Sequence, residues 1–109
     1  MSEKSKIALL NRNLRIVVKT GKIIVGQKNV MRTLRTSQAK LLIIADNLPE
    51  TYKKSLMYQV QMQNRKIDVF AYPGSSWELG NQAGRSHMVG SILIESPGDS
   101  KILDVVKEI

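Results

Sequence analysis

The chain contains no cysteine. Disulfides, thiolate metal sites and cysteine nucleophiles are therefore excluded, and the composition suits a reducing compartment. It holds one histidine, and no pair of histidines or cluster of carboxylates suggests a metal site. No apolar run approaches the length that spans a bilayer. The N-terminal stretch MSEKSKIALL lacks the long apolar segment and small-residue cleavage site of a signal peptide. These absences predict a soluble, cytoplasmic protein with no membrane partner. TGKIIVGQK has two glycines and two lysines, yet fits neither G-x-x-x-x-G-K-[ST] nor G-x-G-x-x-G.

What is present points to one globular unit. The 109 residues are 42% hydrophobic, enough to bury a modest core without metal or disulfide. Neither repeat nor linker interrupts them, so residues 1–109 are expected to form a single domain. The net charge is +8, and it is polarised. Residues 1–40 carry ten Lys or Arg against one acid, Glu3, whereas residues 41–109 carry seven against eight acids. Solubility does not require such asymmetry, and a polyanion partner, nucleic acid ahead of membrane, explains it better.

The apolar spacing predicts alternating elements. Ile7, Leu10, Leu14, Val17 and Val18 form a stripe on a helix over 5–20, with Arg12, Arg15 and Lys19 on another side and Gly21 as a C′ residue. KIIV at 22–25 reads as a strand ended by Gly26. A helix over 27–35 turns Val30, Met31 and Leu34 inward and Lys28, Arg32 and Arg35 outward. AKLLIIAD at 39–46 reads as a strand covered on both faces. Asn47-Leu48-Pro49 is a turn, and a helix over 50–63 follows, with Tyr52, Leu56 and Val60 inward. KIDVFAY at 66–72 is a third strand, and Ser75 and Glu78 have capping-box spacing before a short helix closed by Gly84. VGSILIE at 89–95 is a fourth strand, and Asp99 an N-cap for a last helix with Ile102, Leu103, Val105 and Val106 on its apolar face. The order αβαβαβαβα implies an α/β fold, one sheet between two helical layers.

The single histidine lies in GNQAGRSHMVG at 80–90. As a general base His87 would want a nucleophile and an orienting acid, and no acid lies between Gly80 and Gly90. The catalytic reading therefore has no support. A phosphate-binding reading has more. Gly26 stands where a strand passes into a basic helix, whose first amides are unpaired and whose dipole favours anions. A solvated surface with a tight turn accounts for the same local features equally well. If the fourth strand runs antiparallel to the first two, residues 26–29, Asn47 and residues 85–87 meet at one sheet edge. Amides, cations, an amide side chain and an imidazole would then face RNA that is not a regular duplex, whose bases are exposed. Asn47 is also explained as a turn former, and composition does not separate the two.

TGKIIVGQK, AKLLIIADNLP, WELGNQAGRSHMVGSILI and SPGDSKIL occur in this order and spacing. Over residues 8–106 the chain resembles the archaeal and eukaryotic large-subunit ribosomal protein thirty-e family, part of a superfamily of small kink-turn RNA binders. The resemblance implies a three-layer α/β/α sandwich around a four-stranded mixed sheet with an antiparallel fourth strand. It implies that Gly26, Gln27, Lys28, Asn29 and Arg32 meet the sheared G·A pairs and backbone of a kink-turn, and that Asn47 meets a base edge. Arg85, Ser86, His87, Met88 and Val89 would form a loop against the extruded nucleotide. The superfamily often shows G-x-N-E-x-x-K at the helix start. Here, in Gly26-Gln27-Lys28-Asn29-Val30-Met31-Arg32, lysine replaces the asparagine and asparagine the glutamate, while Arg32 keeps a cation, which favours the ribosomal branch over guide-RNA adaptors.

The resulting expectation is a non-catalytic constituent of the large ribosomal subunit, without cofactor, monomeric when free, with ribosomal RNA and neighbouring ribosomal proteins as partners. The alternatives are a kink-turn binder of a non-ribosomal particle that guides RNA modification, and a small-molecule enzyme of the doubly wound type.

Overall fold

The computed structural model describes residues 3–36, 39–62, 67–86 and 88–108. Its elements run α1 (Glu3–Thr20), β1 (Lys22–Val25), α2 (Gln27–Thr36), β2 (Leu41–Ala45), α3 (Glu50–Met62), β3 (Asp68–Tyr72), α4 (Ser76–Gln82), β4 (Ser91–Ser96) and α5 (Ile102–Glu108). The predicted alternation holds throughout. The four strands form one sheet in the order β1-β4-β2-β3. β4 is antiparallel to both β1 and β2, and β2 is parallel to β3. The sheet is mixed, with helices on both faces, as the resemblance implied.

Two apolar clusters flank the sheet. On one face Leu10, Leu14 and Val17 of α1, Leu79 of α4 and Ile102 and Val105 of α5 pack against Leu41, Ile43, Ile92 and Ile94. On the other, Val30 and Leu34 of α2 and Leu56 of α3 cover Leu42, Ile44 and Leu93. All five β2 residues are buried, because this strand is interior to the sheet and covered from both sides. That burial explains its uninterrupted apolar run.

Several local expectations change. β2 is shorter than 39–46 at both ends, and β4 begins at Ser91 rather than 89 and extends to Ser96. β3 begins at Asp68, and the predicted Lys66 lies outside the described residues, as does the end of the helix expected to reach 63. Tyr52 is not an inward residue of α3: it is 49% exposed, and only Leu56 of the predicted set is fully buried. Spacing placed Tyr52 on the apolar stripe, but its side chain lines an open groove between α2 and α3. Asp99 does not cap α5, which starts three residues later. Its N–H donates to Thr20 Oγ1 at 3.0 Å, and the Lys101 N–H donates to Asn13 Oδ1 at 2.9 Å, so residues 98–101 form a turn docked on α1.

Gly21 is needed for room. Its φ is not positive, but a Cβ there would meet the Ser96 carbonyl and the Val17 side chain. Ser75 does cap α4, its Oγ accepting the Glu78 N–H at 3.2 Å. Gly84 follows that helix with φ +73°, as a C′ glycine should.

Candidate nucleic-acid interface

Strand register decides where the predicted residues go. Val25 of β1 and Ile43 of β2 both pair with Ile92 of β4. The chain leaving β1 at Gly26, leaving β2 at Asp46 and Asn47, and entering β4 through Met88 to Gly90 therefore lies along one sheet edge. The antiparallel β4 produces this convergence, because its N-terminal end falls beside the C-terminal ends of its neighbours.

At that edge the β1–α2 turn depends on glycine. Gly26 has φ +96°, a conformation that L side chains rarely adopt. The turn aims α2 with its start at the edge. The first intrahelical bond runs from Val30 N to Gly26 O at 2.9 Å, so the amides of residues 27–29 precede the helical ladder. α2 has no acid in its first turn, where the dipole would favour one, and Lys28 stands there instead. A lysine in that position is disfavoured unless an anion arrives. Asn29 folds back on the turn, its Nδ2 donating to Val25 O at 3.4 Å. The backbone of Gln27 belongs to this turn.

A surface groove is lined by Gly26, Asn29, Arg32 and Arg85 together with β1 residues. Residues 59 positions apart in sequence thus share one concavity, with two guanidinium groups and no carboxylate among the described residues that line it. Lys28 and Arg32 are exposed, as predicted for that face of α2.

Asn47 is tied into the edge by a bond that spacing could not reveal. Its Oδ1 accepts the Ser76 N–H at 2.7 Å, satisfying an amide at the start of α4. Ser76 O in turn accepts the Val89 N–H at 2.9 Å, and Ala45 N donates to Gly90 O at 2.9 Å. Leu48 packs so closely on Gly90 that a Cβ at residue 90 would lie 2.7 Å from Leu48 Cδ1. The end of β2, the start of α4 and the entry to β4 are one hydrogen-bonded unit. Asn47 is exposed, and with its oxygen held it retains an NH₂ group as donor.

Arg85, Ser86 and Met88 are exposed, Met88 by 62%. Val89 is 1% exposed, its side chain in the core, so its contribution to the loop is to anchor it. His87 lies outside the described residues. Motif and charge patterns do not mark Trp77, which is 62% exposed and forms a hollow with Asn81, Arg85 and Ser86. The only local signal is that Trp77 is the chain's one tryptophan, set just after the Ser75 cap. Leu79, Gly80 and Ala83 mark the inner side, and Trp77 falls at the border of that face rather than within it.

Beneath the edge, Arg15 of α1 donates from Nε and one terminal nitrogen to Gln82 Oε1, at 3.1 and 2.9 Å, fixing α4. The Tyr72 hydroxyl donates to Asn11 Oδ1 at 2.7 Å. Burial raises the Tyr72 pKa, and the nearby Glu78 charge adds to the rise, while the Asn11 hydrogen bond and Arg15 oppose it. Among the described residues, no group of three or more His, Cys, Asp or Glu could hold a metal ion. Nor is any helix among them long and apolar enough to cross a membrane.

The fold and this edge define a small α/β sandwich that presents a glycine turn, a basic helix start and a capped loop on one rim. The chain belongs to the Ribosomal protein L7Ae/L30e/S12e/Gadd45 family, whose model matches residues 8–104. Among curated proteins it is similar to large ribosomal subunit protein eL30 of Methanothermobacter thermautotrophicus, 37% identical over 89% of this chain and 97% of that protein. The eL30 of Saccharolobus solfataricus is 39% identical, over 87% of this chain and 86% of its own. That of Spodoptera frugiperda is 37% identical, over 97% and 92%.

Proposed function

We propose that the chain is a structural constituent of the large ribosomal subunit that binds a kink-turn in ribosomal RNA. It acts in the cytoplasm, on the ribosome, among neighbouring ribosomal proteins, as one RNA-binding domain that is monomeric when free and catalyses no reaction. The names of its relatives support the ribosomal setting. The observation that carries the RNA reading is the groove in which Gly26, Asn29, Arg32 and Arg85 meet, at the same edge as Asn47 and Met88.

Each residue has a role its chemistry allows. The amides of residues 27–29 and the α2 dipole receive phosphate or base oxygen, with Lys28 and Arg32 supplying charge. The Gly26 turn lets the backbone come close, and Gln27 and Asn29 hydrogen-bond the G·A pairs. Asn47 offers its NH₂ to a base edge. Arg85 and Ser86 hold backbone oxygens, His87 and Met88 lie against the extruded nucleotide, and Val89 secures their loop from the core. Such a preformed cradle suits bent RNA, whose bases are exposed, over an A-form duplex that hides them.

The test is a binding titration. A kink-turn RNA should bind more tightly than the same RNA with its G·A pairs replaced by Watson–Crick pairs, and affinity should fall steeply with salt. Lys28→Ala should lower the salt slope by about one unit. Equal affinity for the two RNAs would sink the reading. Sedimentation with large ribosomal subunits separates the ribosomal role from that of a guide-RNA particle.

A further inference from the structure

A second surface leads away from the RNA-binding edge. Lys28, Arg32 and Arg35 of α2 face Tyr52 and Ser55 of α3 across a groove. A second hollow continues it, lined by Arg35, Ser55, Lys54 and Tyr58. Met31, Arg35 and Ser55 belong to both, so the path is continuous. Arg32 also lines the groove that holds Gly26 and Arg85, so the path begins at the edge described above.

The lining chemistry is selective. Among the described residues, four cations, Lys28, Arg32, Arg35 and Lys54, border the path, and no carboxylate does. Tyr52 and Tyr58 are 49% and 59% exposed, on a helix that buries only Leu56 fully. Exposed aromatic rings interleaved with cations are what a single nucleic-acid strand requires: charge for phosphates and flat faces for bases. A duplex would supply the phosphates but withhold its base faces. An acidic protein segment would satisfy the cations, but would give the two rings no flat partner.

We infer that the α2–α3 groove binds a stretch of unpaired RNA continuing from the RNA at the Gly26 edge, with Tyr52 and Tyr58 as stacking platforms and Arg35 and Lys54 as phosphate contacts. This rests on the chain being an RNA binder, but not on its recognising a kink-turn.

Four probes test it by anisotropy with the full chain: a kink-turn, the same kink-turn with an unpaired tail of roughly ten nucleotides at either end, the tail sequence alone, and an acidic peptide. One of the tails should tighten binding. Tyr58→Ala should weaken the tailed complex about 5- to 100-fold and leave the untailed one unchanged, while Tyr58→Phe keeps most of the gain. Tyr58 is exposed, so the variant is expected to fold, and Tyr52→Ala provides an independent check. If no tail alters affinity while the kink-turn binds, the inference is overturned. It is also overturned if the peptide binds in a Tyr58-dependent way and the oligonucleotide does not. Binding of the oligonucleotide that depends on Tyr58, without preference for the kink-turn, would uphold this groove and reject the kink-turn reading.

Discussion

The two ends of the sheet use the same residue types for opposite purposes. At the end carrying Gly21 and Gly98, polar groups are consumed internally. Thr20 Oγ1 takes the Asp99 N–H, and Asn13 Oδ1 takes the Lys101 N–H. Gly98 has φ +57°, and a Cβ on it would lie 2.5 Å from Gly21 N, backbone against backbone. At the other end Gly26 also has positive φ, yet the nearest atom to a Cβ there would be Asn29 Nδ2, at 3.9 Å. One end is a closed seam that locks α1 to the chain before α5. The other is held in shape with space left in front of it. Glycine in a crowded seam serves packing; glycine in an open turn serves whatever enters from outside.

Substitution at each end should separate these purposes. The largest effect is expected at the seam. Gly98→Ala combines left-handed strain with a backbone clash and should cost roughly 3 kcal/mol. Thermal unfolding should register a fall in Tm of about 10 °C or more. A shift of only a degree or two would mean the seam relaxes freely.

Asn47 offers the sharpest division of roles. Asn47→Ala removes the acceptor for the Ser76 N–H and should cost about 1 kcal/mol of stability in denaturant titration, besides weakening RNA binding. Asn47→Asp keeps the acceptor, so stability should be retained, but it replaces the NH₂ donor with a negative charge, so affinity for kink-turn RNA should fall at least as far as in Asn47→Ala. Retained RNA affinity in Asn47→Asp would reduce this residue to a cap.

Gly26→Ala should cost about 1 kcal/mol of stability, since strain alone opposes it, and lower RNA affinity by more than that loss explains. A seam-like drop in Tm would erase the contrast between the two ends.

The last effect, which touches stability alone and not RNA affinity, concerns Tyr72, under the open end. Its folded pKa is raised by burial and by Glu78, so the folded state holds this proton more firmly than the unfolded chain does. The associated stability is complete below the unfolded value near 10 and is lost as pH rises through the folded one. Tyr72→Phe should cost about 1 kcal/mol at neutral pH, through the Asn11 bond, and should flatten the alkaline decline in Tm. An unaltered alkaline decline would assign it to another group.

Much of this was legible in advance where the signal is local. The buried run of β2, the basic outer face of α2, the Ser75 cap, the break at Gly26 and the helix end at Gly84 follow from period and residue type within a few positions, whereas Gly21, expected as a C′ residue, has no positive φ and serves close packing. Tyr52 misled because helical spacing marks a stripe without saying which of its positions the neighbouring elements cover. Asp99 misled because residues 98–101 are spent in a turn docked on α1, so the helix begins only at Ile102. Asn47 remained ambiguous because its partner, Ser76, is 29 residues away. Trp77 was passed over because an exposed ring matters only once Arg85 and Ser86 are seen beside it.

By itself, the sequence determined the alternation of helices and strands, the concentration of positive charge in its first third and the turn at Gly26, since each depends on neighbours along the chain. Beyond what the family resemblance implied, only the tertiary structure decided that β4 runs against β1 and β2, and that single orientation carries Arg85, Ser86 and residues 88–90 to the Gly26 and Asn47 edge. The period of a strand is the same in either direction, so its sense is settled by hydrogen-bonded pairing and burial against the rest of the fold.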